Sequence, residues 1–396
     1  MRRWFEQLEQ FAIEVILEDR KGKRAALLRA VLYAFSHLYR GIVQLRLWLY
    51  RKRLMRERTL GCLVISIGNL TVGGTGKTPV VEKFARALQA GGRRVAILSR
   101  GYKSKKLPLL KRLWHAMTDR EPYKPRVVSD GRSILLDSRM AGDEPYMLAV
   151  NLKDVIVLVD KNRVASGMYA IDEMACDTLL LDDGMQFLRL KHRLEIVLID
   201  RQAPFGNEYL LPRGTLREPA GNLRRASYIF ITKSTAQGNE ELIKRIRKYN
   251  RTAEIIECSH QPQYIEHALT GERLPLDWLR GKHVGALSAI AAPKSFEDGL
   301  KRLGAKVELT RQFADHHRFT EREITGFLKR CGNRALDAVI TTEKDYVRLP
   351  RLAAPEVPIY FLRVEIEILS GAESWQSCVD RICKQQVMMA PEKFFG

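Results

Sequence analysis

One stretch constrains this chain more than any other. Val64-Ile65-Ser66-Ile67-Gly68-Asn69-Leu70-Thr71-Val72-Gly73-Gly74-Thr75-Gly76-Lys77-Thr78-Pro79 is an apolar run entering a glycine-rich turn that closes on Gly-Lys-Thr. A strand, a tight turn and a helix in that order make a cradle for a polyphosphate. Glycines let backbone N–H groups face the anion, Lys77 reaches its terminal oxygens and the Thr78 hydroxyl is placed to ligate Mg²⁺. The whole loop, Thr71, Val72, Gly73, Gly74, Thr75, Gly76, Lys77 and Thr78, is therefore a candidate nucleotide site. Val80, Val81, Phe84, Ala85 and Leu88 continue at helical spacing, so a helix N-terminus points at the same anion. The strict pattern asks for glycine where Thr71 stands; the remaining glycines and the strand-turn-helix context carry the reading against a chance Gly-Lys-Thr turn.

Downstream, short apolar runs alternate with helical stretches. Val95–Leu98, Val155–Val159, Thr178–Leu181, Ile196–Ile199 and Ile229–Ile231 each end in polar residues. That rhythm predicts an α/β fold with a P-loop-type parallel sheet and a ligand edge at the strand C-termini. Near Ala253 the character changes. Ile255-Ile256 and then Tyr264-Ile265 read as two extended segments, a two-stranded linker over 253–280. Beyond it, strands at Val284–Leu287, Lys306–Leu309 and Ala338–Thr341 alternate with helices near Pro293–Leu303 and Thr320–Cys331. The expected organisation is N-terminal amphipathic helices over 1–58, a P-loop core over 59–252, the linker, and a smaller α/β/α domain over 281–396.

A net charge of +21 calls for an acidic partner, nucleic acid or an anionic membrane. Between Ala25 and Tyr50, Arg29, His37, Arg40 and Arg46 interrupt the apolar run, so it falls short of the ~18 residues of a spanning helix. Arg29, Tyr33, Ser36, His37, Arg40, Gln44 and Arg51 recur along one helical stripe, with Leu28, Val31, Leu32, Phe35, Leu38, Ile42, Val43 and Leu49 elsewhere on the surface. This suits a helix lying in a bilayer interface with cations toward anionic head groups; a helix packed on the protein's own core is the alternative. From Lys103 to Arg126, cations surround Leu107, Leu109, Leu110, Leu113 and Trp114, a basic surface insertion. Six cysteines without a C-x-x-C pair argue against a zinc site or a disulfide framework and fit a reducing compartment.

Leu179-Leu180-Leu181-Asp182-Asp183-Gly184 has the form of an apolar strand delivering carboxylate to Mg²⁺ beside bound phosphates. Gly142-Asp143-Glu144-Pro145 reads by itself as an N-cap with proline in the first helical turn. Ala314-Asp315-His316-His317-Arg318 reads as a cap before the helix at Thr320 or as half of a metal site.

Taken together, these motifs are specific. In order they are Gly-Asn-x-x-Val-Gly-Gly-Thr-Gly-Lys-Thr-Pro, Ser99-Arg100-Gly101-Tyr102, Gly142-Asp143-Glu144-Pro145, Asp182-Asp183-Gly184, Phe205-Gly206-Asn207 with Leu210-Leu211-Pro212 and Leu216-Arg217-Glu218, Asp315-His316-His317, and Thr342-Glu343-Lys344-Asp345. From about Gly41 to Leu349 the chain resembles the tetraacyldisaccharide 4'-kinases of lipid A biosynthesis. The resemblance implies two α/β/α domains with a site between them, ATP and Mg²⁺, and γ-phosphoryl transfer to the 4'-hydroxyl of tetraacyldisaccharide 1-phosphate to give lipid IVA. It further implies a monotopic station on the cytoplasmic face of the inner membrane. By the same resemblance Asp143 and His316 form a catalytic dyad. Thr78, Glu144 and Asp182, with Asp183 close by, fall where Mg²⁺ coordination is expected, and Arg100, Arg163, Gln186 and Glu218 match positions that handle substrate or phosphate. With Asp143 and His316 in different domains, closure of the linker is expected to assemble the dyad. One departure stands out: the family's usual Asp-Asp-Gly-Phe-Gln-His is here Asp182-Asp183-Gly184-Met185-Gln186-Phe187, a phenyl ring in place of an imidazole.

Two other readings compete. A P-loop switch GTPase or metal-delivery ATPase would carry Asn/Thr-Lys-x-Asp late in the chain, where Thr232-Lys233-Ser234-Thr235 lacks the aspartate, or a second lysine early in the cradle, where Val72 stands. A nucleic-acid-binding protein would suit the charge, but the cations are spread among apolar residues with no DNA- or RNA-binding module.

Overall fold

A computed structural model describes residues 11–101, 124–235, 237–350 and 355–384. Most of the basic insertion lies outside the described residues.

The opening apolar run forms β1, Leu63–Asn69, and the helix beyond the glycines is α2, Lys77–Ala90. Ahead of both lies α1, Lys23–Arg51. The strands β2 Val95–Ser99, β4 Ile156–Val159, β5 Thr178–Asp182, β6 Leu194–Asp200 and β7 Tyr228–Thr232 are parallel neighbours in the order β4-β2-β5-β1-β6-β7. An antiparallel edge strand, β3 Arg126–Asp130, closes this end. Because the strands run parallel, Asn69, Ser99, Asp182, Asp200 and Thr232 all come out on one edge, where a doubly wound sheet binds its ligand.

The two extended segments expected after Ala253 belong to one strand, β8, Glu254–His267, and its long antiparallel partner is β13, Ile359–Ser370, from near the end of the chain. Apolar residues at both ends of the segment with polar ones between let it run unbroken from one sheet into the next. Its first residues continue the parallel sheet beside β7, and only its last residues pair with the short β9, Arg273–Pro275. Through β8 and β13 the sheet extends without interruption to β12 Ala338–Thr342, β10 His283–Ser288 and β11 Lys306–Gln312.

Buried side chains fill both ends. Ile65, Phe84, Phe230 and Leu180 pack under the first sheet, and Leu287, Phe327, Val339 and Ile359 under the second. Phe84 is fully enclosed between Phe230 and Trp375. Trp375 belongs to the C-terminal helix Ala372–Lys384, which returns to the first core, so the stretch 281–396 contributes to both ends of the sheet.

On α1, Leu27, Val31, Phe35, Leu38, Ile42 and Leu45 are exposed and fall on one face at helical spacing. The opposite face buries Ser36, Leu47 and Tyr50 against the body. The solvent-facing stripe is therefore the apolar one, while Ser36, expected on the polar stripe, is buried and donates to the Tyr33 carbonyl. No helix among the described residues is long and apolar enough to cross a membrane.

Candidate active site

The turn after β1 is built by backbone geometry. Gly73 and Gly76 take φ of 120° and 76°, the left-handed region, whereas Thr71 does not, which is why threonine is tolerated there. Gly76 is constrained twice, because a Cβ at this position would lie 2.4 Å from the His260 ring. Asn69 donates to the Thr71 carbonyl at 2.7 Å and Val72 N–H donates to the Thr215 carbonyl at 2.7 Å, fixing the loop on both sides. Thr232 donates to the Thr75 carbonyl at 2.8 Å. Lys77 Nζ donates to Asn69 Oδ1 at 3.2 Å and lies 3.4 Å from Asp183 Oδ1. Thr78, in the first turn of α2, is buried beside it.

The acidic pair after β5 divides into two roles. Asp182 is buried; its Oδ2 accepts from Ser99 Oγ at 2.9 Å, and its Oδ1 is enclosed with no hydrogen-bond partner. Burial pushes its carboxyl up to about 6, with Glu144 and Asp183 adding to the effect and Lys77 and Arg163 opposing it. Asp183, at φ 56°, is already neutralised. Both its oxygens accept from Arg217 at 2.8 Å, and although burial raises its carboxyl, Lys77 and Arg217 outweigh that and hold it low. Arg163, buried at the start of the helix Arg163–Asp172, donates to the Asp183 carbonyl at 2.9 Å and lies over the Phe187 ring at 5.3 Å.

The donor set of Thr78, Asp182 and Glu144 is all oxygen and suits a hard cation such as Mg²⁺. The unpartnered Oδ1 of Asp182 is the observation that favours a ligand there. Among the described residues no three His, Cys, Asp or Glu converge as a self-contained metal cage.

Asp143 is the first residue of α4, Asp143–Asn151, preceded by Gly142 at φ 94°. Asp143 and Glu144 thus open the helix instead of capping it, and Gly142 occupies the N-cap. His316, at φ 63°, comes from the loop after β11 and places Nδ1 3.2 Å from Asp143 Oδ2. The next helix is capped by Thr320 with Glu323 in a capping box, which frees the Asp315-His316 segment from the capping task. Two arginines complete the setting. Arg348 Nε donates to Asp143 Oδ2 at 2.8 Å and Arg318 donates to Asp143 Oδ1 at 3.1 Å. Burial raises the Asp143 carboxyl, but His316, Arg348 and Arg318 outweigh it and keep the group below its ordinary value. Lys344 Nζ lies 3.3 Å from His316 Nε2 and 3.6 Å from Glu144 Oε1.

The remaining sequence candidates separate. Gln186 joins the site, donating to the Asn69 carbonyl at 3.1 Å and accepting from Arg217 at 3.3 Å. Arg100 is exposed, near enough to Arg163 for its charge to act there. Glu218 is buried in a separate network, accepting from Asn222 at 2.8 Å and Arg225 at 2.9 Å. Arg217, Arg318, Lys344 and Arg348 went unassigned from the sequence although three of them lie inside or beside quoted motifs. Their signal was a cation next to a motif carboxylate, which is indistinguishable in sequence from a solvated charge.

A phosphate cradle, a lysine, buried carboxylates and an acid-imidazole pair on one edge define a P-loop phosphotransferase. The profile of the tetraacyldisaccharide-1-P 4'-kinase family matches residues 28–384. A tetraacyldisaccharide 4'-kinase of Anaeromyxobacter dehalogenans is 40% identical over 360 residues, 90% of this chain and 91% of that protein. Its counterpart in Geobacter sulfurreducens is 37% identical, covering 89% and 93%. The crystal structure of the Aquifex aeolicus enzyme LpxK in complex with ATP superposes with a TM-score of 0.70 at 29% identity, covering 90% of this chain and 99% of that one. The chain belongs to the tetraacyldisaccharide 4'-kinase family. It is a kinase with the α/β fold expected from its sequence, which sets aside the switch-protein reading.

Proposed function

We propose that this kinase transfers the γ-phosphoryl group of ATP, with Mg²⁺, to the 4'-hydroxyl of tetraacyldisaccharide 1-phosphate, giving lipid IVA. The observation that carries the site assignment is the hydrogen-bonded Asp143–His316 pair standing on the same edge as Lys77, Asp182 and Asp183. A sugar hydroxyl is a weak nucleophile at neutral pH, and the dyad receives its proton as the oxygen attacks phosphorus. Lys77 and Arg163 supply positive charge where the transferring phosphoryl group gains negative charge. Thr78, Asp182 and Glu144 would hold Mg²⁺, which supplies charge neutralisation when bound; Asp183, held by Lys77 and Arg217, stays outside that set. Arg100, Gln186 and Glu218 are assigned to substrate or phosphate handling, with Gln186 held between the Asn69 carbonyl and Arg217 and Glu218 held by Asn222 and Arg225.

The division we propose is an N-terminal helical segment that ends near 58, a P-loop core over 59–252, a linker over 253–280 and a smaller C-terminal lobe from 281. Flexing of β8 and β13 would open and close the dyad. The exposed apolar face of α1 supports a monotopic station on an anionic bilayer, the cytoplasmic face of the inner membrane, where the lipid acceptor resides. Nucleic acid has no part in this reading.

The test is transfer of label from γ-labelled ATP to tetraacyldisaccharide 1-phosphate in detergent micelles by the parent, Asp143→Ala and Lys77→Ala. Labelled lipid from the parent and loss in both variants is the expected result. ATP turnover without labelled lipid would point to another acceptor. Retention on oligonucleotides but not on anionic liposomes at matched salt would overturn the membrane assignment.

A further inference from the structure

Away from the phosphate cradle and the dyad lies a second buried ionic cluster that the scheme above leaves unused. Arg363 of β13 is almost wholly enclosed, and its Nη1 donates to both oxygens of Glu343 at 2.7 and 2.8 Å. Its Nη2 donates to Glu82 and, at 3.3 Å, to Glu365. Asn151 closes the cluster, donating to Glu343 Oε1 at 2.6 Å and to Glu82 Oε2 at 3.2 Å. Arg86 reaches Glu82 from the solvent side at 2.7 Å.

Each partner sits on an element that also carries part of the site. Glu82 lies on α2, which opens with Lys77. Asn151 ends α4, which opens with Asp143. Glu343 opens α9, Glu343–Tyr346, whose next residue, Lys344, faces His316. Arg363 stands where these three elements meet, on the strand that spans both ends of the sheet.

We propose that Arg363 is a positioning residue for phosphoryl transfer. Its guanidinium fork sets the P-loop helix against the elements bearing Asp143 and Lys344, so that the acceptor hydroxyl, and not water, meets the γ-phosphoryl group. This rests on the kinase reading above. A planar fork serves two carboxylates at once, and a lysine ammonium cannot reproduce that geometry. Two carboxylates buried together are costly, and an all-apolar junction of the same volume would fold as well or better, so the cluster contributes orientation more than stability. Helices move as rods, so a displacement at Glu82 or Asn151 is carried to Lys77 or Asp143, and a misplacement near 1 Å can cost about a hundredfold in rate.

The experiment measures lipid phosphorylation, total ATP hydrolysis, ATP affinity and thermal midpoint on the same preparations of parent, Arg363→Lys and the isosteric Glu343→Gln. The expected result is near-parental ATP affinity in both variants, kcat for lipid phosphorylation lowered about tenfold or more, and more ATP hydrolysed per lipid phosphorylated. Activity lost only in proportion to the unfolded fraction, with that ratio unchanged, would overturn the proposal, as would full activity of Arg363→Lys. A parent that hydrolyses ATP but labels no lipid overturns the kinase reading and the positioning role with it.

Discussion

Arg348, a side chain with no exposed surface, donates through Nε to Asp143 Oδ2 at 2.8 Å while its Nη1 reaches Asp345 Oδ1 at 3.1 Å. One buried cation therefore serves the carboxylate of the dyad and a carboxylate of the Thr342-Glu343-Lys344-Asp345 turn. Burial alone raises the Asp345 carboxyl, and Arg348 is among the groups that oppose this. Removing it by Arg348→Met takes the buried counter-ion from Asp345 and leaves Asp143 with Arg318 and His316 only. Such a loss typically costs about 3–5 kcal/mol of stability. The kcat of lipid phosphorylation should fall roughly a hundredfold in the fraction that stays folded. Urea unfolding and label transfer on one preparation check both numbers.

Lys77 faces two anions in turn, Asp183 within the protein and the nucleotide phosphates in the reaction. Lys77→Ala should lower kcat by roughly a hundred- to a thousandfold, the range for loss of a preorganised transition-state contact. Stability should change by less than about 1 kcal/mol, because Asp183 keeps both hydrogen bonds from Arg217. Circular-dichroism melts beside the label-transfer assay separate these effects.

The cradle was legible because backbone geometry imposes its residue types: glycine at the positive φ of Gly73 and Gly76, lysine and threonine at fixed offsets. The strands ending at Asp182 and Thr232 were legible because a strand buried on both faces reads as a continuous apolar run. The dyad was not readable from spacing. Asp143 and His316 are 173 positions apart and meet only because β8 and β13 join the two halves of one sheet, so only the family resemblance proposed them. Arg348 was hidden for a different reason. A charge is taken as solvated until a fold buries it, and its partner Asp143 lies 205 residues away. β13 was missed because Glu365 and Glu367 interrupt its apolar pattern, which marks a strand only half covered at the junction.

Phe187 is the position at which this chain departs from the motif that the resemblance implies, and its ring lies under the Arg163 guanidinium at 5.3 Å. Such a cation–π contact is worth about 0.5–2 kcal/mol. Phe187→His weakens it and adds a polar nitrogen beside the acidic loop. The expected outcome is a change in KM for ATP or lipid of about two- to tenfold with kcat preserved. Kinetic constants identical to the parent would show that the ring contributes nothing to the site.

The apolar face of α1 predicts a separable membrane phenotype. Leu38 and Ile42 are 62% and 57% exposed, whereas Tyr39 donates to the Arg217 carbonyl and Arg46 to the Gln186 carbonyl, tying the flank of the helix beside the apolar stripe to the body. Leu38→Ser with Ile42→Ser removes surface that would be buried in lipid and spares those contacts. Each leucine-sized side chain contributes about 1.5–3 kcal/mol on full burial, so retention on anionic vesicles should fall at least about tenfold. Co-sedimentation at two salt concentrations checks it, and unchanged retention would assign binding to charge alone.

His260 gives the protein a stability dependence on acid. Burial, with the Lys233 charge adding to it, pushes its imidazole down to about 4, against an ordinary 6.5. The folded protein therefore keeps the ring neutral over a pH range in which the unfolded chain protonates it. Above pH 6.5 the two states bind the same number of protons at this site and it contributes no slope. Between 6.5 and 4 the unfolded state binds more, so stability falls as pH falls, by up to roughly 3 kcal/mol. The ring packs on Gly76 of the phosphate cradle, and its Nδ1 has no partner, so a proton there finds no compensating acceptor. His260→Gln, which cannot titrate, should show a flatter stability profile across that window in urea unfolding at pH 7.5, 6 and 5. Parallel profiles for the two proteins would mean that the acid sensitivity arises elsewhere.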